Sequence, residues 1–264
     1  GLRPGANYVV RDKSLVPDEY FLELAGGALQ AAVPNEFLLD PIDSWVGAGP
    51  IIAYDIRGLF DSGFFNPLAN DSEGVLAKEF SLKEKVAGVF AMADINREFG
   101  SGVLTGNVGV LAQHTDQSSQ GFSVTPATGI QPITDGDKYW DVLPSLNLNW
   151  RFHSDFVIRF AAARQLMRPR MDDMAANFSY GFDQTRGIIS GSSGNPRLRP
   201  YRATAIDFTL EKYWGTRGYL AAQLFWKDLD SMIYRQTIDY DWTGFPSPHP
   251  AATDPIGEIS TPIN

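Results

Sequence analysis

The alternation of apolar and polar positions is clearest in residues 140–152, WDVLPSLNLNWRF. Every even-numbered residue in this stretch is apolar, and every odd-numbered residue except Leu143 is polar. A period of two predicts a β-strand with one apolar face and one polar face. Pro144 lies inside the strand and lacks a backbone N–H, so we expect a bulge or an unpaired position there.

Five further segments alternate in the same way: 84–97, 103–115, 156–165, 203–214 and 219–229. Short turns join them in pairs at 99–102, 153–155 and 215–218, whereas long stretches follow at 116–138, 167–201 and from 236 onward. Every short turn therefore lies at one end of the strands and every long connection at the other. This sorting is typical of outer-membrane β-barrels, which have short periplasmic turns and long extracellular loops.

Aromatic side chains concentrate at the ends of these strands, where an interfacial girdle would contain Trp140, Trp150, Phe152, Phe156, Tyr213, Trp214 and Tyr219. Rings with one polar edge favour the boundary between lipid and water. Trp140 and Trp150 are ten residues apart, or about 33 Å along a strand. At a tilt of about 40° this distance spans roughly 25 Å of membrane. The pattern predicts an all-β, antiparallel transmembrane segment, with a soluble sandwich or lectin as the alternative.

Composition narrows the function classes. The formal charge of −9 argues against a nucleic-acid partner. The chain has no cysteine, its three histidines are scattered, and Gly191-Ser192-Ser193-Gly194 lacks the nucleophile-elbow pattern. We therefore expect no catalytic residue, no metal site and no cofactor.

Three stretches of the chain carry a likeness to a known family: DGDKYWDVLPSLNLNW (135–150), IRFAAARQLMRPRMDDM (158–174) and SGNPRLRPYRATAIDFTLEKYWG with GYLAAQLFWKDLDSMI (193–233). Through these stretches, residues 137–235 resemble a TonB-dependent outer-membrane receptor. The Arg-Pro-Arg-Met-Asp-Asp run is similar to a branch proposed to import carbohydrates or related nutrients in Gram-negative bacteria. The resemblance implies a 22-stranded barrel in the bacterial outer membrane, with an N-terminal plug and a segment that engages the TonB complex.

Neither a plug nor a TonB box is evident in this sequence, so we expect a fragment of a longer receptor. Residues 1–83 are interpreted as mostly an extracellular loop region, with a strand end at 7–12 and a short helix near 18–24 or 35–39. Residues 84–235 are interpreted as three transmembrane hairpins. Residues 236–264 are interpreted as the truncated start of another extracellular loop.

Two sets of side chains are candidate functional residues. The polar face of the strands places Arg159, Asp207, Glu211 and Lys227 toward the barrel lumen. The long loops should carry ligand specificity through Phe178, Tyr180, Phe182, Arg186, Tyr240 and Trp242. Aromatic faces stack on sugars or pack a hydrophobic siderophore, while packing of the loop against itself is the structural alternative. The arginines of 167–201 suit an anionic ferric complex, and the acidic 236–264 suits a neutral glycan.

These observations favour a non-enzymatic active-transport receptor. It would bind a scarce nutrient, either an oligosaccharide or a ferric siderophore, and import it with energy delivered through TonB. Its partners would be membrane lipid or lipopolysaccharide, the TonB complex through the missing plug, and the small-molecule nutrient. A secreted carbohydrate-binding or carbohydrate-active β-protein and a passive porin are the alternatives.

Overall fold

The computed structural model describes the whole chain except residues 71, 126–128 and 216. The chain folds into two compact units, and most contacts between residues lie within one unit or the other. Residues 1–16 and 77–264 make up the sheet unit, and residues 17–76 make up the insert unit.

The elements follow one another in this order: β1 Leu2–Leu15, β2 Tyr20–Leu24, a 3₁₀ helix Asn35–Phe37, β3 Leu38–Asp43, β4 Pro50–Tyr54, α1 Ile56–Asp61, β5 Phe65–Ala69, α2 Glu73–Leu76, β6 Phe80–Phe99, β7 Gly102–Thr125, β8 Gly129–Phe152, β9 Phe156–Met167, a 3₁₀ helix Asp172–Met174, β10 Phe178–Asp183, β11 Ile188–Ser193, β12 Tyr201–Trp214, β13 Gly218–Ser231, β14 Tyr234–Asp241 and β15 Ile256–Ile263. Within the described residues, no helix is both long and apolar enough to cross a membrane.

Eleven strands form one curled, half-barrel sheet among the described residues. Strands β1, β6, β7, β8, β9, β12 and β13 are neighbours in that order, and all of their pairings are antiparallel. The expectation of a purely antiparallel sheet is wrong for the loop strands. β10 meets β7 in parallel at Phe178, and β11 runs parallel to β15.

Register separates the two faces of this sheet cleanly. One row across five neighbouring strands contains the directly paired residues Val108, Leu146, Ala162, Ile206 and Trp226. Because successive side chains point to opposite sides, the adjacent row lies on the other face. We call the side of the first row the apolar face and the opposite side the polar face.

The adjacent row on the polar face contains Asn107, Asn147, Ala161, Asp207 and Phe225. Asn147 Nδ2 donates to Asn107 Oδ1 at 3.0 Å across β7 and β8. Amide pairs of this kind satisfy polar groups without closing the face to water. The polar face is therefore chemically distinct from the apolar face over the length of the hairpins.

The six alternating segments all lie within strands, and each short connection joins an antiparallel pair. Strand β1 is a full strand of 14 residues, longer than the strand end expected at 7–12. Residues 20–24, where a helix was one expectation, form a strand, and residues 35–37 form a 3₁₀ turn. Residues 236–264 contain most of the β14–β15 hairpin.

The described residues of the insert unit form two small antiparallel sheets, the helices α1 and α2, and the 3₁₀ helix Asn35–Phe37. β2 pairs with β5, and β3 pairs with β4 through a register shift between Leu39 and Ile42. Asp55 caps α1 by accepting a 2.9 Å hydrogen bond from the backbone N–H of Gly58. Leu59 is the buried residue of this helix and fixes the face that packs inward.

Candidate functional site

A segment from Arg168 to Pro200 covers part of the polar face of the sheet unit. Phe80 and Leu82 of β6 form a buried cluster with Met174, Ala175 and Leu198 of this segment. We call residues 168–200 the covering segment. Its apolar side chains replace water over the end of β6, so the region predicted as a loop forms part of the core.

Polar side chains of β7 fasten the backbone of the covering segment. Gln117 is buried, and its Nε2 donates to the carbonyl oxygens of Pro196 at 2.8 Å and Leu198 at 2.7 Å. Ser119 Oγ accepts the backbone N–H of Ala176 at 2.8 Å. These bonds satisfy groups in non-regular backbone that burial would otherwise leave unpaired.

A buried ionic cluster holds the start of the same segment. The carboxylate of Glu84 is fully buried and accepts hydrogen bonds from Arg168 Nη1 at 2.9 Å and Arg11 Nε at 2.7 Å. Arg168 also donates to Thr115 Oγ1 at 3.1 Å. A buried carboxylate is tolerated when it is paired and hydrogen-bonded. The cluster therefore joins β1, β6, β7 and the covering segment at one point.

A second buried ion pair lies just after the C-terminal end of the covering segment. Arg202 Nε donates to Asp141 Oδ1 at 2.6 Å, and both side chains are largely buried. Arg199 and Arg202 lie 5.7 and 6.0 Å from the ring centroid of Tyr139, and the Tyr139 hydroxyl donates to Gln117 Oε1 at 3.2 Å. Sequence reasoning missed Glu84, Gln117 and Asp141. Glu84 and Asp141 occupy polar-face positions in alternating segments, whereas Gln117 lies in a stretch predicted as a loop that the structure shows to be part of β7.

The arginines of the covering segment all have acidic partners within the chain. Arg170 lies 3.6 Å from Asp172, while the other pairs are closer: Arg168 with Glu84, Arg186 with Asp183 and Glu258, Arg197 with Asp135, and Arg199 with Asp137. Lys13 of β1 also hydrogen-bonds Asp172, and this contact holds the pKa of the Asp172 carboxyl below its usual value. The positive charge of the segment is thus largely neutralised internally.

Arg186 forms a bridge between two strands of the loop region. Its Nε donates to Asp183 Oδ2 and its Nη2 to Glu258 Oε1, each at 2.7 Å. The hydrogen bond from the guanidinium lowers the pKa of both carboxyls. The arginine predicted to contact a ligand therefore ties the β10–β11 hairpin to β15.

The loop aromatics form one cluster around Trp242. The Trp242 ring stacks on Tyr180 at 4.9 Å and lies 4.6 Å from Tyr240 and 5.8 Å from Phe178. Trp242 is 2% exposed, so its faces are covered by other side chains of the loops. This arrangement favours self-packing of the loops for Trp242, whereas ligand contact by the half-buried Phe178 and Tyr240 stays a prediction.

Phe182 lies outside this cluster. Its ring stacks on His249 with a centroid distance of 5.0 Å and an interplanar angle of 4°. The stack joins β10 to the connection between β14 and β15. Phe182 is half-buried, and its role toward a ligand also stays a prediction.

A small cavity of 260 Å³ lies between the covering segment and the strands. Its walls carry uncharged polar groups and one aromatic ring, together with Asp135, which Arg197 neutralises. We call it the loop pocket; it is lined by Ser123, Ile133, Asp135, Ala176, Asn177, Phe178, Ser193, Gly194, Asn195, Pro196 and Thr261. Hydroxyl and amide groups around an aromatic face are suited to a polyhydroxylated ligand.

The predicted lumen residues share the polar face by register. Arg159 makes a two-point contact with Glu211, at 2.8 Å from Nε and 3.2 Å from Nη2. Asp207 and Lys227 form no ion pair among the described residues. Contact of these four side chains with a lumen stays a prediction.

The predicted girdle divides between the two faces. Trp140, Trp150, Phe152, Phe156 and Trp214 lie on the apolar face, and Trp150 stacks on Phe152 at 4.9 Å. Tyr213 and Tyr219 face each other on the polar face, where the Tyr213 hydroxyl donates to Glu211 at 2.7 Å. Neighbouring residues alternate sides, so Tyr213 and Trp214 cannot both face lipid. Their assignment to one girdle is corrected accordingly.

Comparison with known proteins gives one family. Residues 7–261 match the family described as TonB dependent receptor-like, beta-barrel. No curated protein and no solved structure matches the chain. Members of this family are receptors of the Gram-negative outer membrane that act in transport rather than catalysis. With nearly its whole length matched and a curled β-sheet, the chain belongs to the TonB-dependent receptor β-barrel family.

Proposed function

We propose that the chain is part of the barrel of an active-transport receptor that takes up a neutral oligosaccharide. The nutrient binds at the end of the sheet opposite the short turns and passes inward with energy delivered through TonB. Of the two nutrient classes considered, the oligosaccharide is favoured over the ferric siderophore by the charges of the covering segment.

The observation that carries this choice is the pairing of the five arginines in residues 168–199. Each has a carboxylate partner within the chain. Recognition of an anionic ferric complex relies on cationic donors aimed at the ligand. Breaking these pairs to free a guanidinium would leave acidic groups unpaired beside the anion. The loop pocket instead offers Asn177, Asn195, Ser193 and the ring of Phe178.

Energy coupling requires a plug inside the barrel, and the polar face is suited to contact it. Asn107, Asn147, Asp207 and Lys227 present hydrogen-bonding or charged groups on that face. A polar, hydrated wall permits a plug to shift under force with modest cost, because water can replace lost hydrogen bonds. We propose that the TonB complex acts through such a plug.

The outer leaflet is the proposed lipid partner of the apolar face. Beyond Trp140 this face changes to a directly paired row of Lys85, Asp116 and Lys138, with Lys138 Nζ 3.2 Å from Asp116 Oδ2. Lysines just outside an apolar band are suited to the phosphates of lipopolysaccharide. The three hairpins between residues 84 and 235 would then cross the membrane, with the long connections outside the cell.

The decisive experiment is uptake of labelled neutral oligosaccharides and ferric siderophores by cells that express the full-length receptor. Uptake of an oligosaccharide that stops when TonB is deleted supports the proposal. TonB-dependent uptake of only ferric complexes contradicts the nutrient class, and uptake that continues without TonB indicates a passive porin. Phe178→Ala should reduce uptake at least tenfold, while Phe99→Ala, at the short turn after β6, should reduce it less than threefold.

A further inference from the structure

The insert unit carries the entire net charge of the chain. Residues 17–76 contain ten acidic residues and one basic residue, Arg57, giving a net charge of −9. The whole chain has 31 acidic and 22 basic residues, also −9. The remaining residues therefore contain 21 of each sign and are neutral. Negative charge concentrated in this way creates a local field that attracts cationic partners.

The same unit exposes large apolar side chains. Trp45 is 97% exposed, Ile52 80% and Phe21 60%. All six residues of β3 are exposed, including Leu38, Leu39 and Ile42. Leu38 is paired directly with Tyr54, and Ile42 with Ile51, and all four are exposed, so apolar side chains adjoin one another along β3 and β4. Adjoining exposed apolar side chains mark sites of interaction.

A cavity of 410 Å³ lies within this surface. Its walls are predominantly apolar, and the charged residues Arg57 and Asp61 lie among them. We call it the insert pocket; its apolar lining is Leu22, Tyr54, Ile56, Phe60 and Phe65. Its volume is sufficient for one or two large side chains, and anchor residues of interfaces fill pockets of this type.

Charge decides which occupant suits this surface. A second copy of the insert unit would bring another −9 against the first, and phosphate-bearing lipid surfaces are also anionic, so both are repelled. A polypeptide with lysines or arginines beside apolar side chains matches the acidic field and the insert pocket together. The free energy of apolar burial then adds to the electrostatic attraction.

We propose that the insert unit is the docking surface for a basic, amphipathic segment of another polypeptide. An apolar side chain of that segment fills the insert pocket, while its basic side chains pair with Asp61 and the carboxylates of β3, Asp40 and Asp43. This interaction is independent of the nutrient and of transport.

The test uses the full-length receptor in nanodiscs of zwitterionic lipid and a fluorescent 14-residue helical peptide of Leu and Lys. Controls are the same composition in scrambled order and a Leu/Glu version. Binding of the Leu/Lys peptide at least tenfold tighter than both controls, and weakening with salt, is expected. Equal binding of the scrambled peptide overturns the proposal, because attraction by charge alone would explain it.

Variants locate the site. Ile56→Ser with Phe60→Ser alters two exposed pocket residues, and Asp40→Asn with Asp43→Asn removes two charges. Each pair should weaken peptide binding at least tenfold, whereas Asp228→Asn with Asp254→Asn, in the sheet unit, should change it less than twofold. A benzophenone at the centre of the peptide should cross-link within residues 17–76.

Three results would overturn the proposal: the peptide cross-links only outside residues 17–76, the receptor associates with itself through the insert unit, or the insert unit binds vesicles of anionic lipid in preference to the peptide.

Discussion

Arg168 and Glu84 are joined by a 2.9 Å hydrogen bond between Nη1 and Oε1, across 84 positions of sequence. The carboxylate is fully buried, and the guanidinium is 16% exposed. This pair fixes the first residue of the covering segment to the polar face of β6. Arg11 of β1 donates to the same carboxylate, and Arg168 also donates to Thr115 of β7, so the covering segment is held directly from β6 and β7.

Arg168→Met should release the covering segment. Removing one partner of a buried ion pair costs about 3 kcal/mol, which corresponds to about a hundredfold more of the locally opened form. Trypsin cleavage after Arg197 in detergent should accelerate by that factor. Arg170→Met likewise replaces an arginine of the segment by methionine but removes only an exposed 3.6 Å ion pair, and it should change the rate of cleavage after Arg197 less than threefold. Equal rates in the two variants would contradict an anchoring role for Arg168.

Gly191→Ala should destabilise the aromatic cluster. A Cβ at this position would lie 2.4 Å from Cη2 of the buried Trp242 ring, so the indole or the strand must move. Overpacking of this kind costs about 1–3 kcal/mol. Gly181→Ala in the neighbouring strand meets no atom within 4 Å and serves as the control. Hydrogen exchange of the β10–β11 amides should rise about tenfold in the first variant and stay near wild type in the second.

Leu146→Arg should impair membrane insertion, whereas Ser145→Arg should not. Leu146 lies on the apolar face near the middle of the interval from Trp140 to Trp150, and Ser145 lies on the polar face. Arginine on the lipid side near the bilayer midplane costs about 2–4 kcal/mol. The fraction of folded full-length receptor recovered from outer membranes, followed by heat-dependent gel migration, measures the effect. Similar loss in both variants would contradict lipid contact by the apolar face.

Acid should weaken the bridge made by Arg186. The hydrogen bond from Arg186 lowers the pKa of Glu258 and Asp183 from their ordinary values of 4.5 and 3.8. Ionised carboxylates are favoured in the fold, so their contribution is present above those values and is lost as pH falls through the lowered pKa. Carboxyl NMR of Glu258, assigned with Glu258→Gln, should show a midpoint below 4.5.

The matched variant separates this bridge from general acid effects. Arg186→Gln should move the Glu258 midpoint upward toward its ordinary value, while Arg170→Gln should leave it in place. A midpoint that does not respond to Arg186→Gln would contradict the bridge. Because both carboxyls are partly exposed to solvent, the predicted signal is a change in titration rather than a large change in unfolding free energy.

The strands were predictable because period-two alternation is a local property. Residues 140–152 show it directly, and the structure extends that strand to Gly129–Phe152. Pro144 was predicted to need a bulge or an unpaired position because it lacks a backbone N–H. The β8–β9 ladder begins at Ser145, so Pro144 has no partner residue in β9. Residues 129–138 were treated as loop because Thr134, Gly136 and Lys138 occupy positions of the apolar face without an apolar side chain.

The covering segment and the site were less accessible to sequence reasoning. Gln117 binds carbonyls of Pro196 and Leu198, about 80 positions away, and local patterns carry no information about such pairs. Residues 20–24 form a strand rather than a helix because pairing with β5 outweighs local propensity. Trp242 was recognised as an important loop aromatic, but only the fold reveals that the neighbouring rings enclose it.

Strands β7 and β8 each contain 24 residues, more than twice the ten-residue interval between Trp140 and Trp150. At about 3.3 Å per residue and a tilt of about 40°, the 11 residues before Trp140 in β8 add roughly 28 Å of height. With the apolar face in contact with lipid, residues 129–139 of β8 and the paired part of β7 extend beyond the outer surface of the bilayer as a two-stranded ribbon. The sugars of neighbouring lipopolysaccharide molecules would then contact the side of this ribbon. Phages or antibodies that approach the cell would first contact the outer ends of β7 and β8.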